Sequence, residues 1–215
     1  MAKGFRTRIK ICGITRAEDV HALVAAGVDA LGLVFYEASP RNITIPQAAH
    51  LAHALSPFVN TVGLFVNPQA AEVETVLRFV ALDTLQFHGD ESPEFCAQFG
   101  KPYLKAIRVT AETDLVECAA RYAAAQGLLL DAHVEGVQGG SGATFDWRLI
   151  PSDLPLPLIL SGGLHAGNVA EAIKQVRPYA VDVSSGVEAA KGIKDAAKIA
   201  AFVNEVKRAD VQLSR

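Results

Sequence analysis

The sequence is poor in sulfur: it has three cysteines, Cys12, Cys96 and Cys118, and one methionine. So sparse and odd a cysteine count excludes a disulfide scaffold and fits a reduced, cytoplasmic setting. An excess of charge of one sign is also missing. Twenty basic residues stand against 23 acidic ones, a net of −3, which leaves no electrostatic footprint for a nucleic acid or an anionic membrane as partner. There is no run of 18 apolar residues, so no transmembrane helix is expected. No long apolar stretch follows the basic residues near the N-terminus, so no secretory signal is expected either. A GxGxxG dinucleotide fingerprint is absent. The histidines, His21, His50, His53, His88, His133 and His165, show no spacing that matches a closed metal site. His50 and His53 fall three apart, on what the pattern makes the solvated face of an outer helix.

What is present is half apolar residues over 215 positions, enough for a full core without staples. Short apolar runs alternate with amphipathic segments. The runs are Ile9–Ile14, Asp29–Phe35, Thr61–Val66, Thr84–His88, Tyr103–Val109, Leu128–Asp131, Leu156–Leu160 and Ala180–Val183. Each is bounded by Gly, Asp or Pro and reads as a strand. Continuous apolar character means burial on both faces, as in a parallel sheet. The intervening segments supply the crossovers: helices over Arg16–Ala26, from about Pro46, over Pro68–Val80, Ser92–Phe99, Ala111–Ala125, Ala166–Val176 and Asp195–Arg208. Eight such strands predict an α/β fold, a (β/α)8 TIM barrel built as a compact single domain over residues 1–215. A doubly wound open sheet is the rival, and a count of six or seven strands would favour it.

Barrel active sites lie at the carboxyl ends of the strands, so the residues there carry the functional reading. Strand one leaves through Cys12, either a packing thiol or, beside cations, a base. After strand two comes Arg41, whose planar fork suits a carboxylate unless it is merely solvated. Gln86 and His88 share one face of strand four, with Phe87 on the other. If Phe87 faces the helices, the polar pair faces the barrel interior, as a hydrogen-bonded pair or as substrate contacts. Asp131 closes the apolar strand six; it caps the strand or, if burial favours its neutral form, serves as a general acid. Lys105 and Arg108 on strand five read as structural or substrate-proximal. A Gly-rich loop, Gly139–Trp147, follows strand six. Strand seven exits through Gly162 and Gly163, and strand eight through Asp182, Ser184 and Ser185. Glycines and serines after the last two strands are the makings of a phosphate site, where bare N–H groups approach the oxygens.

These strings are specific enough to resemble a family. KICGIT at Lys10–Thr15, GLVFYEASPR at Gly32–Arg41, VGLFVN at Val62–Asn67, LQFHGDE at Leu85–Glu91 and LLLDA at Leu128–Ala132 run in order. GGSGATFDW at Gly139–Trp147, LSGGL at Leu160–Leu164 and VDVSSGVE at Val181–Glu188 continue them. Together they resemble the phosphoribosylanthranilate isomerases of tryptophan biosynthesis. The resemblance implies a cofactor-free aldose–ketose isomerase performing an Amadori rearrangement. It implies Cys12 as general base, Asp131 as general acid, Arg41 at the anthranilate carboxylate, and a phosphate cradle of Gly162, Gly163, Ser184 and Ser185. Gln86, His88 and Asp182 complete the expected substrate contacts. The implied partner is one small phosphorylated molecule, and the chain is expected as a monomer or homodimer. Two other readings stand beside it. One is the histidine-pathway sugar-phosphate isomerase, which carries an aspartate where this chain has Cys12. The other is a non-catalytic barrel that binds a phosphorylated ligand.

Overall fold

The computed structural model describes residues 6–132 and 146–213. Eight strands close into a barrel in chain order: β1 (Arg8–Cys12), β2 (Ala30–Phe35), β3 (Asn60–Phe65), β4 (Thr84–Phe87), β5 (Tyr103–Val109), β6 (Gly127–Ala132), β7 (Leu158–Leu160) and β8 (Ala180–Val183). Every neighbouring pair is parallel, and β8 pairs back onto β1 through Arg8–Ala180 to Ile11–Val183. The barrel expectation therefore holds and the open sheet does not. Helices follow the strands: α1 (Ala17–Ala26), α2 (Ile45–His53), α3 (Ala70–Phe79), α4 (Pro93–Ala97), α5 (Leu115–Arg121), α6 (Val169–Val176) and α7 (Ala196–Leu213). A 3-10 turn at Trp147–Leu149 precedes β7. None of the described helices is long and apolar enough to cross a membrane.

Alternation along each strand splits the apolar residues between a large core outside the sheet and smaller clusters inside the barrel. The larger lies between sheet and helices, around Ile11, Leu31, Phe65, Leu85, Leu128, Val181 and Phe202. Phe87 belongs to it: the ring is fully buried and packs against Phe95 and Phe99 on the helix side. One smaller cluster fills the barrel's lower interior with Ala106, Leu129, Ile159 and Ala180. Above it the interior turns polar, which is where burial must be compensated by partners.

Helix ends depart from the periodicity where local hydrogen bonds outbid it. A helix is expected from Ala111, but α5 starts at Leu115 because the Asp114 carboxylate accepts from the N–H groups of Val116 and Glu117. A Thr110–Thr113 turn takes up the residues before it. α4 is confined to five residues behind its Ser92 cap, and α7 runs on to Leu213 along an apolar stripe of Ile199, Phe202, Val206 and Ala209. One element is new: an antiparallel pair, β9 (Glu188–Ala190) with β10 (Ile193–Lys194), lies just past β8.

Candidate active site

β1 turns Lys10 and Cys12 to the same side. Opposite Cys12 on β2 stands Gly32, its Cα partner. A Cβ there would lie 2.7 Å from the Cys12 sulfur, so only glycine leaves room for the thiol. Cys12 is 6% exposed and packs with Val34 and Leu64. One layer below, the Lys10 ammonium donates to Asp182 Oδ1 at 2.9 Å, both groups buried. Burial works against the Lys10 charge, but Asp182 and the Cys12 sulfur hold its pKa above the usual value. Burial pushes the Cys12 thiol up, and Lys10 pulls against that rise. The sequence alone gives Lys10 no role. The signal that identifies it is the two-residue spacing from Cys12.

Beside Cys12 stands a second charged group. Arg41 donates from Nε to Glu188 Oε1 at 2.7 Å and from a terminal nitrogen to Oε2 at 2.8 Å. Lys194 donates to the same Oε1 at 2.8 Å and to the Ser184 carbonyl at 3.1 Å. The Ser184 hydroxyl donates to the Cys12 carbonyl at 3.0 Å, tying β8 to β1. Burial opposes the Glu188 charge, yet Arg41 and Lys194 hold the carboxyl below the usual range. Burial outweighs Glu188 at Lys194 and lowers its pKa. The expectation for Arg41 needs a correction of geometry: its Nε edge is occupied within the protein, because the β9–β10 pair delivers Glu188 to it. A ligand carboxylate would have to use the guanidinium's other edge.

Across the barrel, β4 and β6 carry the other half of the site, a hydrogen-bonded chain of amide, imidazole and carboxyl group. With Phe87 facing the helices, Gln86 and His88 face the barrel interior. The Gln86 amide nitrogen lies 3.0 Å from His88 Nδ1, and His88 Nε2 lies 3.1 Å from Asp131 Oδ2. The Ala132 N–H donates to Asp131 Oδ1 at 3.0 Å. Asp131 is 5% exposed, so both oxygens are held in a fixed frame. The next strand has to yield for this. A Cβ at Gly162 would sit 2.9 Å from Asp131 Oδ1 and 2.6 Å from the Ala132 nitrogen, and its φ of +85° is itself a glycine conformation.

The loops after β7 and β8 meet. The Gly163 carbonyl accepts from the Asn168 side chain, and Gly186 packs against the Leu164 carbonyl so closely that no side chain fits. Ser185 opens a 3-10 turn over Ser185–Val187. Gly162, Gly163, Ser184 and Ser185 thus line one rim of the mouth. Asp182 lies deeper, as the partner of Lys10. Lys105 does not join them: it points outward, pairs with Glu91 at 2.9 Å and reaches the carbonyls of Phe87 and Gly89, pinning the loop after β4. Arg108 is the Cα partner of Asp131 in the β5–β6 register. His133 and the expected loop over Gly139–Phe145 lie outside the described residues. His50 and His53 are exposed on α2, and no group of three or more His, Cys, Asp or Glu side chains able to hold a metal occurs among the described residues. A cavity of about 580 Å³ opens at the opposite end of the barrel, lined by Arg8, Asn60, Gln126 and Tyr179 among others. Of the site residues described above only Lys10, the layer beneath Cys12, also lines it.

Comparison with known proteins supplies the chemistry that such a mouth performs. The family described as PRAI, N-(5′phosphoribosyl)anthranilate (PRA) isomerase, matches residues 9–205. An N-(5′-phosphoribosyl)anthranilate isomerase of Thiobacillus denitrificans is 64% identical over 200 residues, covering 93% of this chain and 98% of that protein. A crystal structure of phosphoribosyl anthranilate isomerase from Thermotoga maritima superposes with a TM-score of 0.87 at 42% identity, covering 94% of this chain and 99% of the other. A second structure of such an enzyme, in complex with reduced 1-(o-carboxyphenylamino)-1-deoxyribulose 5-phosphate, gives a TM-score of 0.82 at 41% identity over 94% and 99% of the two chains.

Proposed function

The chain belongs to the N-(5′-phosphoribosyl)anthranilate isomerase family, and from that premise we propose which of its residues carry the reaction. The protein converts N-(5′-phosphoribosyl)anthranilate to 1-(2-carboxyphenylamino)-1-deoxyribulose 5-phosphate by an Amadori rearrangement, a step of tryptophan biosynthesis. In our reading Asp131 protonates the furanose ring oxygen and the ring opens to a Schiff base. The Cys12 thiolate then removes the proton at C2, giving an enolamine that tautomerises to the ketose. The observation that supports this most is the pairing of two buried proton-transfer groups, Cys12 at 6% and Asp131 at 5% exposure, at the exits of β1 and β6 around one mouth.

The thiol is buried and held above its usual pKa in the ligand-free protein. Lys10 beneath it, and the positive charge that develops on the Schiff base, both favour the thiolate when it is needed. Gly162, Gly163, Ser184 and Ser185 are proposed to cradle the phosphate, a remote handle that positions C2. Arg41, clamped by Glu188, is proposed to meet the anthranilate carboxylate with its outer edge.

Freshly prepared N-(5′-phosphoribosyl)anthranilate, followed by the loss of anthranilate-type fluorescence, tests the reading. Turnover by the wild type and its collapse in Cys12→Ser and Asp131→Asn are the expected results. Normal turnover in either variant defeats that residue's assignment.

A further inference from the structure

We propose that Gln86 is a positioning residue that stops His88 from taking the acid's proton, by aiming its amide N–H at Nδ1 of His88 and so fixing the ring as the neutral tautomer that donates from Nε2 to Asp131. The proposal rests on the reading of Asp131 as the general acid. It starts from two observations that the proposed chemistry leaves unused: a fully buried glutamine beside a buried histidine, and a glutamine oxygen, Oε1, with no hydrogen-bond partner among the described residues.

An imidazole next to a carboxylic acid ordinarily takes its proton, since the free imidazole is the stronger base by roughly two to three pKa units. The resulting imidazolium–carboxylate pair would leave Asp131 with nothing to give the substrate. Imidazolium needs an N–H at both ring nitrogens. At 3.0 Å from Nδ1 the structure has the amide nitrogen of Gln86, a donor, so a second ring N–H would face it donor to donor. The ring therefore stays neutral, Nε2 keeps its hydrogen, and Asp131 Oδ2 can only accept from it at 3.1 Å. Once the acid proton has moved to the substrate oxygen, the N–H groups of His88 and Ala132 donate to a full carboxylate, and both bonds strengthen. They favour the spent acid over the loaded one, which is the direction that drives the transfer.

The unpaired Oε1 marks what this arrangement costs. Turning the amide over would pair Oε1 with an Nδ1 hydrogen and leave Nε2 bare toward Asp131, the state from which His88 can capture the acid's proton. The orphaned atom belongs to the orientation that prevents it. The charges around the pair come from every neighbouring strand. Asp182 on β8 acts on both His88 and Asp131. Lys10 on β1 is bound to Asp182 at 2.9 Å. Arg108 on β5 lies in register with Asp131. Asp182 favours a cationic ring, and Lys10 and Arg108 oppose it.

The test is nitrogen-15 NMR of the whole protein, with the His88 resonances identified by their loss in His88→Gln. In the wild type Nε2 should carry hydrogen and Nδ1 should not. Gln86→Glu puts an acceptor where the donor was. Both ring nitrogens should then be protonated, with kcat reduced by about a hundredfold and KM nearly unchanged. Should the buried glutamate prevent folding, Gln86→Met removes the donor without adding charge, and Nδ1 should again gain a proton as kcat falls. A protonated Nδ1 in the wild type overturns the proposal. So does a Gln86→Glu or Gln86→Met enzyme that keeps the wild-type tautomer, or one that gains the second proton at full kcat. Full activity in Asp131→Asn defeats the underlying acid assignment instead, whatever tautomer His88 shows.

Discussion

The two sides of the barrel mouth are built by different physics. Around Cys12, strands β1 and β8 and the segment past β8 bring together formal charges: Lys10 with Asp182, and Arg41 and Lys194 with Glu188. Around Asp131, strands β4 and β6 contribute an amide, an imidazole and a backbone N–H, joined by hydrogen bonds of 3.0 to 3.1 Å. A thiol in an apolar pocket is a neutral group that must become an anion, and only nearby cations make that affordable. A carboxylic acid must hold its proton until substrate arrives and then let it go. For that, the direction of its hydrogen bonds matters more than nearby charge. One side controls how much charge the reacting group feels, the other which way its hydrogen bonds point.

The largest expected effects come from removing the reacting groups. Asp131→Asn keeps shape and loses the transferable proton, and Cys12→Ser replaces the thiol by a far poorer base. Each should lower kcat by roughly 10²–10⁴-fold, the scale of general acid–base groups. Folding should be nearly unchanged, because neither swap alters volume much; thermal melting checks this. The sides should also separate. Thiol reagents should inactivate the Cys12 protein but leave the residual activity of Cys12→Ser untouched. Full modification of Cys12 without loss of activity would sink its assignment as base.

Next in size is the pair beneath the thiol. Lys10→Met strands the buried Asp182 carboxylate, so stability should fall by about 3–5 kcal/mol. The double variant Lys10→Met with Asp182→Leu removes both charges and should recover most of that loss, because a buried ion pair contributes little over a packed apolar pair. Activity should not recover with it, since the cation that favours the Cys12 thiolate is gone. Denaturant melts and kcat/KM measured on the same three proteins decide this. A double variant that regains both stability and rate makes Lys10 merely structural.

A smaller effect belongs to the rim. Arg41→Ala should weaken substrate binding by about 1.5–3 kcal/mol, the size of a hydrogen bond to a charged group. Glu188→Gln should do part of this while leaving Arg41 in place, because the carboxylate that aims the guanidinium is lost. Arg41→Lys should fall short of the wild type, as a lysine cannot hold Glu188 at two points and a ligand at a third. Equal binding by the Lys and Arg proteins contradicts the clamp.

The sequence makes the Asp131 side easier to read than the Cys12 side. Gln86, Phe87 and His88 are consecutive, so strand alternation alone assigns the polar pair to one face and the aromatic to the other. Asp131 stands out as a lone carboxylate ending an apolar run. The eight-strand count is legible for the same reason, since each strand is a local pattern. Glu188 and Lys194 are not legible in that way. They reach Arg41 and Ser184 through a short antiparallel pair whose residues, EAA and IK, carry no strand signal of their own. Their roles follow from a contact between residues about 150 positions apart, and pairings across such a distance leave no trace in local periodicity. Lys10 lies between these cases: alternation from Cys12 gives its face, but its bond to Asp182 needs the closure of β1 onto β8. The helix ends are misread wherever a side-chain cap, as at Asp114, overrides the apolar spacing.

The gentlest way to sharpen the contrast is pH. Burial holds the Cys12 thiol above its usual pKa, against the pull of Lys10. A raised acid pKa means that the neutral thiol persists to higher pH, so the fraction present as thiolate should still be climbing past about pH 8.5, where a free thiol is half ionised, and kcat/KM should follow it only in Asp131→Asn, where no carboxylic acid loses its proton over the same range. The climb cannot exceed tenfold per pH unit, about 1.4 kcal/mol, because it reports one proton. Lys10→Met removes the main opposing cation and should carry the limb to higher pH. In Asp131→Asn the same limb should survive at its original position with a lower plateau, since the acid lies across the barrel and does not set the thiol's charge. The measurement is kcat/KM against pH for the three proteins, with thiolate absorbance near the ultraviolet edge as an independent titration of Cys12. A limb that stays in place when Lys10 is removed would show that the two sides are not controlled separately, and that the thiolate owes its stability to the bound substrate instead.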